Sequence, residues 1–191
     1  MDGQGEPQQL RRRGRRLPNS AALALVGLIC LVGGVATAGS PAPGERQTPS
    51  GMPVPRYVSL KFDKVNARAG PGDDHKLLFV YRVRGLPLQV VAETSEWRRV
   101  CDPEGTLAWV HKRTTDGKRT TMNTRPQSVA LLKRPKDGFR AVAYLNSHSL
   151  AALDRCDKGW CKVKAGHEAG WVREGVLWGT TDTPQCRQGG S

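Results

Sequence analysis

Apolar and polar residues alternate over short stretches of the chain between residues 56 and 179. In segment 86–92, the alternate positions are apolar and share one face of a strand: Leu86, Leu88, Val90 and Ala92. Short turn sequences end these stretches at 70–73, 103–105, 116–117, 136–138, 158–159 and 166–167. No part of this region has a sustained helical period with caps. The pattern predicts many short strands, arranged as a sandwich or small barrels.

The landmarks of this region occur twice. Trp97 is followed by Trp109 after 12 residues, and Trp160 is followed by Trp171 after 11. The segments that begin at Val65 and Val129 precede the first tryptophan of their copies by 32 and 31 residues. Matched landmarks at this spacing indicate two repeated units of roughly sixty residues. We place their boundary near residues 116–120, which are polar and rich in turn formers.

Two segments carry a resemblance to a known family. Segment 65–72 reads Val-Asn-Ala-Arg-Ala-Gly-Pro-Gly, and segment 156–163 reads Cys-Asp-Lys-Gly-Trp-Cys-Lys-Val. With the paired tryptophans, they resemble exported bacterial SH3-like domain proteins that have two tandem units. The resemblance implies one small five-stranded barrel per unit and an accessory module whose partners vary. The second unit departs from the pattern at 131–137, so its loop there need not match that of the first unit.

We therefore predict an all-β protein with two tandem small SH3-like β-barrels. A hydrophobic signal or anchor helix and a Pro/Gly-rich linker are expected to precede them. The predicted ranges are 1–38 for the signal or anchor, 39–55 for a flexible linker, 56–117 and 118–179 for the barrels, and 180–191 for a tail.

The N-terminal segment indicates export. Five arginines lie between residues 11 and 16, an apolar run follows over 21–38, and the run ends in the small-x-small triplet Ala36-Thr37-Ala38. This order is typical of a signal peptide, and it predicts cleavage after Ala38. An uncleaved membrane anchor over 21–38 is the alternative, because about 20 apolar residues span a bilayer. In both cases the barrels lie outside the cytoplasm, in the periplasm or the extracellular space.

Export changes what the charge implies. The chain has a net charge of +13 and a pI near 10.1. Removing residues 1–38 takes away five arginines and two acidic residues and leaves +10. Outside the cytoplasm such a charge meets anionic envelope polymers rather than nucleic acid. We expect a cell-wall polymer or an envelope protein as partner, no nucleic acid, and membrane contact only through an uncleaved N-terminal segment.

Four cysteines remain beyond Cys30, which lies in the predicted signal. A two-residue turn at Lys158-Gly159 would place Cys156 directly opposite Cys161, within the distance range of a disulfide. Cys101 and Cys186 then pair by elimination, although free thiols or a bond between two chains remain open. The Cys-x-x-x-x-Cys spacing differs from the Cys-x-x-Cys of redox enzymes.

Trp97, Trp109, Trp160 and Trp171 recur at equivalent positions, which favours barrel packing over stacking platforms for ligands. Trp178 follows the second unit, and we expect it to close that barrel. The four histidines lie far apart along the chain, so no metal site or cofactor is predicted. Cys-His catalysis is not expected either, because the cysteines are assigned to disulfides.

Basic residues cluster on the first unit around one tyrosine. The candidate binding surface consists of Tyr81, Arg82, Arg84, Arg98, Arg99, Lys112 and Arg113. We predict a non-catalytic binding or scaffold module of the cell envelope that engages an anionic, peptidoglycan-type polymer or an envelope protein segment. The alternative is a structural or regulatory subunit of an envelope complex without polymer binding. A solvated basic face with no ligand is the simpler interpretation of the same residues.

Overall fold

The computed structural model describes residues 48–185. The predicted signal or anchor, the cleavage after Ala38 and the predicted partner Cys186 lie outside the described residues. The described part contains no α-helix, and its one helical turn is a 3₁₀ helix at Lys112–Thr114. Within that part, no helix has the length and apolar character needed to cross a bilayer.

The first barrel is a seven-stranded antiparallel sheet. Its strands are β1 Arg56–Leu60, β2 Val65–Arg68, β3 Leu77–Tyr81, β4 Pro87–Glu93, β5 Trp97–Cys101, β6 Leu107–His111 and β7 Thr115–Asp116. They lie in the order β3-β2-β6-β5-β4-β1-β7. The core consists of apolar side chains from alternate strand positions, among them Leu60, Val65, Leu88, Val90, Val100 and Val110. The predicted alternation holds for Leu86, Leu88 and Val90, but a register shift between Val90 and Ala92 ends it, and Ala92 is not part of the core.

The second barrel is a six-stranded antiparallel sheet. Its strands are β8 Thr120–Met122, β9 Val129–Leu132, β10 Ala141–Leu145, β11 Leu150–Asp157, β12 Trp160–Ala165 and β13 Glu168–Arg173. They lie in the order β10-β9-β13-β12-β11-β8. Leu131, Leu145, Val163, Val172 and Leu177 form the centre of its core. The predicted all-β architecture of two tandem barrels is confirmed.

The turn between β11 and β12 has the predicted two residues. Lys158 and Gly159 both have positive φ, 48° and 76°, as a type I′ hairpin turn requires. Cys156 consequently lies opposite Cys161, and a disulfide joins them with the Cα atoms 4.0 Å apart. Cys101 is also disulfide-bonded. Since Cys186 lies outside the described residues, the Cys101–Cys186 pairing stays a prediction.

Strand β13 carries a glycine that the second barrel needs. A Cβ atom on Gly170 would lie 2.7 Å from the Cβ of Leu131 on neighbouring β9. The equivalent residue of the first barrel is Ala108, because it pairs with Val100 as Gly170 pairs with Val163. The two barrels therefore pack this position differently.

Hydrogen bonds and apolar contacts join the two barrels. The Ser59 and Thr120 hydroxyls are 2.7 Å apart, and Thr120 Oγ1 donates to the Gly85 carbonyl. Met122 pairs with β11 of the second barrel, yet its side chain belongs to the core of the first. The last strand of the first sheet ends at Asp116, and the first strand of the second sheet begins at Thr120. The sequence places the boundary in this segment, and the predicted unit ranges stay predictions.

Trp178 lies at this junction. It forms a bridge with Met122, which agrees with its expected place at the end of the second barrel. Its ring also packs edge-on against Tyr57 of the first barrel, with ring centroids 5.2 Å apart. Val91 and Cys101 complete the same apolar cluster. The residue therefore contributes to both barrels, which its position in the sequence does not reveal.

Both ends of the described chain contact β4. The sequence predicts a flexible linker through residue 55, whereas Ser50 donates its backbone N–H to the Glu93 carboxylate over 3.1 Å. At the other end, Gln89 donates to the Thr183 carbonyl and accepts from the Gln185 N–H. Gln89 is also the cross-strand partner of Cys101, so the tail approaches that cysteine.

Candidate functional site

The predicted binding surface is divided among several environments. Arg82 and Arg84 are exposed after β3, and Arg99 is exposed on β5. Lys112 and Arg113 are exposed on the 3₁₀ helix. The remaining two residues, Tyr81 and Arg98, are turned inward, which differs from the sequence-based expectation.

The Tyr81 side chain is turned inward and hydrogen-bonded to a buried acid. Its hydroxyl donates to Asp102 Oδ2 over 3.1 Å, and both side chains are buried. Burial and the Asp102 charge raise the pKa of the Tyr81 hydroxyl above its usual value. The tyrosine lines a groove of about 360 Å³ together with Arg82 and Val83 of the first barrel and Met122 and Leu150 of the second. Tyr81 and Arg82 thus border the junction of the barrels.

Arg98 is occupied by an ion-pair cluster at the end of β4. Its Nε lies 3.6 Å from the Glu93 carboxylate, which Arg56 and Ser50 also contact. Burial raises the pKa of the Glu93 carboxyl, but hydrogen bonds from Ser50, Arg56 and Thr48 outweigh it and bring the pKa to about 2. A cation committed to a buried carboxylate is not available to an external ligand.

Each barrel presents a partly exposed tryptophan beside a basic residue. In the first barrel, Trp109 on β6 is the direct cross-strand partner of Arg99 on β5. In the second, Trp171 on β13 is the partner of Lys162 on β12, and the Arg155 guanidinium lies 5.3 Å from its ring centroid. The same aromatic–basic arrangement is therefore repeated on both barrels.

The other two tryptophans are buried, and each is also paired with a basic residue. Trp97 is the cross-strand partner of His111, with ring centroids 5.2 Å apart. Trp160 is the partner of Arg173, whose guanidinium lies 4.5 Å above the indole. The predicted packing role describes Trp97 and Trp160, whereas Trp109 and Trp171 keep part of their surface in solvent.

A cleft of about 260 Å³ opens beside Trp97. Strands β2, β5 and β6, the β2–β3 loop and the 3₁₀ helix all contribute to it. Its polar lining consists of Lys64, Asn66, Arg68, Asp73, His111, Arg113 and Thr114. Because Trp97 and Trp109 lie on the same face of the β5–β6 hairpin, the cleft adjoins the Arg99–Trp109 pair. Residues 48–185 include no group of three or more side chains placed to hold a metal ion.

The sequence model of one protein family, the bacterial SH3 domain, matches the chain twice, over residues 61–117 and 125–179. The two matches together cover more than half of the chain. The chain belongs to the bacterial SH3 domain family. Bacterial SH3 domains are generally cell-wall binding modules and typically occur in extracellular or periplasmic proteins.

Among solved structures, this bacterial SH3 protein is similar to NlpC2 and NlpC1 from Trichomonas vaginalis. The sequence identity is 14% and the TM-score 0.30 in both cases. The similarity covers 69% and 70% of this chain and 48% of each neighbour, so the chain spans about half the length of those proteins. No curated protein matches the chain.

The predicted surface shares only Arg113 with the lining of the bacterial SH3 cleft, and it lacks the basic lining residues Lys64, Arg68 and His111. A signal for His111 was present, because the spacing of Trp97 and Trp109 in a hairpin fixes which residues face each other. Lys64 and Arg68 come from a different part of the chain. Their approach to Trp97 depends on the β2–β6 pairing, for which the local pattern contains no signal.

Proposed function

We propose that this chain is a non-catalytic binding module of the cell envelope that engages an anionic wall polymer of peptidoglycan type. The observation that carries the proposal is the repeated pair of a partly exposed tryptophan and a basic residue, Arg99–Trp109 and Lys162–Trp171. Two equivalent pairs on one chain suit a ligand that is itself a repeat.

The chemistry of the pairs fits such a polymer. An indole ring offers a flat apolar surface on which a sugar ring can stack, and an adjacent cation attracts carboxylates. Trp109 has Arg68 as its partner on the other side, so basic residues flank it on two strands. The net charge of +10 beyond residue 38 supports attraction to an anionic polymer at longer range.

Binding to washed sacculi tests the proposal. We expect the full chain to sediment with sacculi at low salt, and Arg99→Gln/Lys162→Gln to reduce the bound fraction at least fivefold. Lys118→Gln/Lys136→Gln is the matched control, since it removes the same charge from exposed positions outside the predicted surface. Binding should weaken as salt rises, because exposed charges are screened beyond about 8–10 Å at physiological ionic strength. Equal losses in both variants, or no sedimentation of the unaltered chain, would refute the proposed site.

A second candidate function is that of a structural or regulatory subunit of an envelope complex. The observation that favours it is apolar exposure on and after edge strand β3, where Leu77, Leu78 and Val83 are each 44–46% exposed. Such an edge can pair with a strand of another protein. Salt separates the two functions, because a packed apolar contact does not weaken as salt rises.

A further inference from the structure

The two SH3 units use the space above the buried tryptophan differently. In the second unit, Arg173 lies over Trp160 and binds the Asp137 carboxylate, with Nε–Oδ1 at 3.1 Å and a second contact from Nη2 to Oδ2. Asp137 belongs to the loop between β9 and β10. The chain itself therefore supplies a carboxylate to the residue that covers this tryptophan.

In the first unit, the loop acid has another partner. Asp73 in the β2–β3 loop lies 3.2 Å from Arg68 Nη2. His111 takes the position of Arg173 opposite the tryptophan. His111 Nδ1 accepts a hydrogen bond from the Arg113 N–H, so Nε2 is left as a donor. The nearest carboxylate to that donor is Glu96 at 3.8 Å, beyond hydrogen-bond distance.

The first unit has mostly basic side chains at positions where the second has small or apolar residues. The register fixes the equivalence, because Arg68 pairs with Trp109 as Leu132 pairs with Trp171. Counting from these pairs, the lining residues Lys64, Asn66, Arg68 and Arg113 correspond to Ser128, Ala130, Leu132 and Gly175. Each unit thus has a loop carboxylate. That of the second binds Arg173 over its tryptophan, whereas Asp73 binds Arg68 and leaves Lys64, Arg113 and His111 Nε2 without a carboxylate within hydrogen-bond distance among residues 48–185.

The cations of the cleft differ in how far they are already committed. Arg68 binds the His75 carbonyl through Nη1 at 2.9 Å and Asp73 through Nη2 at 3.2 Å. Lys64 and Arg113 have no ion pair among residues 48–185, so they are the cations most available to a ligand in the cleft.

We propose that the cleft of the first unit binds the carboxylate of a small ligand at His111, the position at which Arg173 of the second unit binds Asp137. A cleft of about 260 Å³ is near the lower end of ligand-pocket volumes, roughly 300 Å³, and suits a group the size of one amino acid or one sugar ring. Lys64, Arg68 and Arg113 supply the charge, and His111 Nε2 donates. A peptide C-terminus and a sugar acid both offer this chemistry.

A titration of the full chain, followed by NMR of the Trp97 indole, tests the proposal. The peptide probes are N-acetyl-alanyl-alanine and its C-terminal amide, and the sugar probes are N-acetylmuramic acid and N-acetylglucosamine. We expect at least one acid to bind at least tenfold more tightly than its neutral counterpart, and the acid that does so identifies the source. Equal binding of acid and neutral probe, no binding by either acid, or tighter binding of inorganic phosphate would overturn the proposal.

Variants locate the site. Lys64→Gln/Arg113→Gln should weaken acid binding at least fivefold, whereas Lys118→Gln/Lys136→Gln, which removes the same charge elsewhere, should not.

Asp73→Asn should tighten binding severalfold, because it removes a competing carboxylate that is 77% exposed and releases Arg68. A loss of acid binding on Asp73→Asn, with an unchanged unfolding midpoint, would contradict the proposal. No polymer takes part in the titration, so its failure leaves sacculus binding through Trp109 and Trp171 untouched.

Discussion

A single buried carboxylate, Glu93, organises the start of the described chain. Arg56 and Arg98 supply opposite charge, and Ser50 donates from the segment before β1. The sequence predicts a flexible linker there and an exposed Arg98, because no residue close to either along the chain indicates a buried ion-pair partner. Their meeting requires β1 to lie beside β4, and the local pattern of apolar and polar residues does not encode which strands are neighbours.

The low pKa of Glu93 predicts a loss of stability in acid. A carboxyl whose folded pKa is about 2, below its ordinary 4.5, stabilises the fold fully above about pH 4.5 and progressively less as the pH falls towards 2. We expect urea unfolding midpoints to decline over this window. Glu93→Gln should have a lower midpoint at pH 6 and a flatter acid profile.

Glu104→Gln serves as the control, because Glu104 is exposed. Its midpoint should follow that of the unaltered chain at every pH. Parallel acid profiles for the unaltered chain and Glu93→Gln would show that other groups cause the decline.

At the scale of elements, the sequence predicts best what is decided within a hairpin. The Lys158-Gly159 turn and the Cys156–Cys161 disulfide follow from the spacing of residues that are neighbours along the chain. The two repeated units and their β-class follow from the alternation and the recurring tryptophans. What the pattern does not reveal is how closely two non-consecutive strands approach, as β9 and β13 do at Gly170.

Gly170→Ala should destabilise the second barrel. Its new Cβ would lie 2.7 Å from the Leu131 Cβ and 3.0 Å from the Leu131 carbonyl carbon, so the strands must move apart. Overpacking of this kind costs about 1–3 kcal/mol. Denaturant unfolding followed by tryptophan fluorescence measures the change.

The reverse exchange in the first barrel, Ala108→Gly, is the comparison. It introduces no clash, and its cost comes from backbone entropy and the loss of one buried methyl group, together about 1.5 kcal/mol. A Gly170→Ala protein as stable as the unaltered chain would show that β9 and β13 separate easily at this point.

At the scale of the whole molecule, the repeat in the sequence suggests two separate barrels, but their cores are connected. Met122 belongs to the second sheet and to the first core, and Trp178 follows the second sheet and packs on Tyr57. Residues 57 and 178 are far apart along the chain, and no local pattern predicts their contact. The sequence therefore places Trp178 at the end of the second unit, but it does not show that the residue also packs against the first barrel.

Trp178→Ala should destabilise both barrels together. Truncation of a buried tryptophan costs about 3–5 kcal/mol, and here the lost contacts belong to the junction. Scanning calorimetry should give one transition for the unaltered chain and either one transition at lower temperature or two separated transitions for the variant.

Tyr144→Ala is the control for that experiment, because Tyr144 is 67% exposed on the edge strand β10. Its transition should shift little. If the unaltered chain already melts in two transitions and Trp178→Ala moves only one of them, the barrels are independent and the junction is not cooperative.

Strand β4 holds the first described residues through Glu93 and the last through Gln89. These two attachment points are four residues apart, roughly 13 Å along a strand. Tension applied to the chain from both sides would therefore enter and leave the protein through one strand of the first barrel. As long as both attachments hold, the force bypasses the second barrel, which stays folded without load.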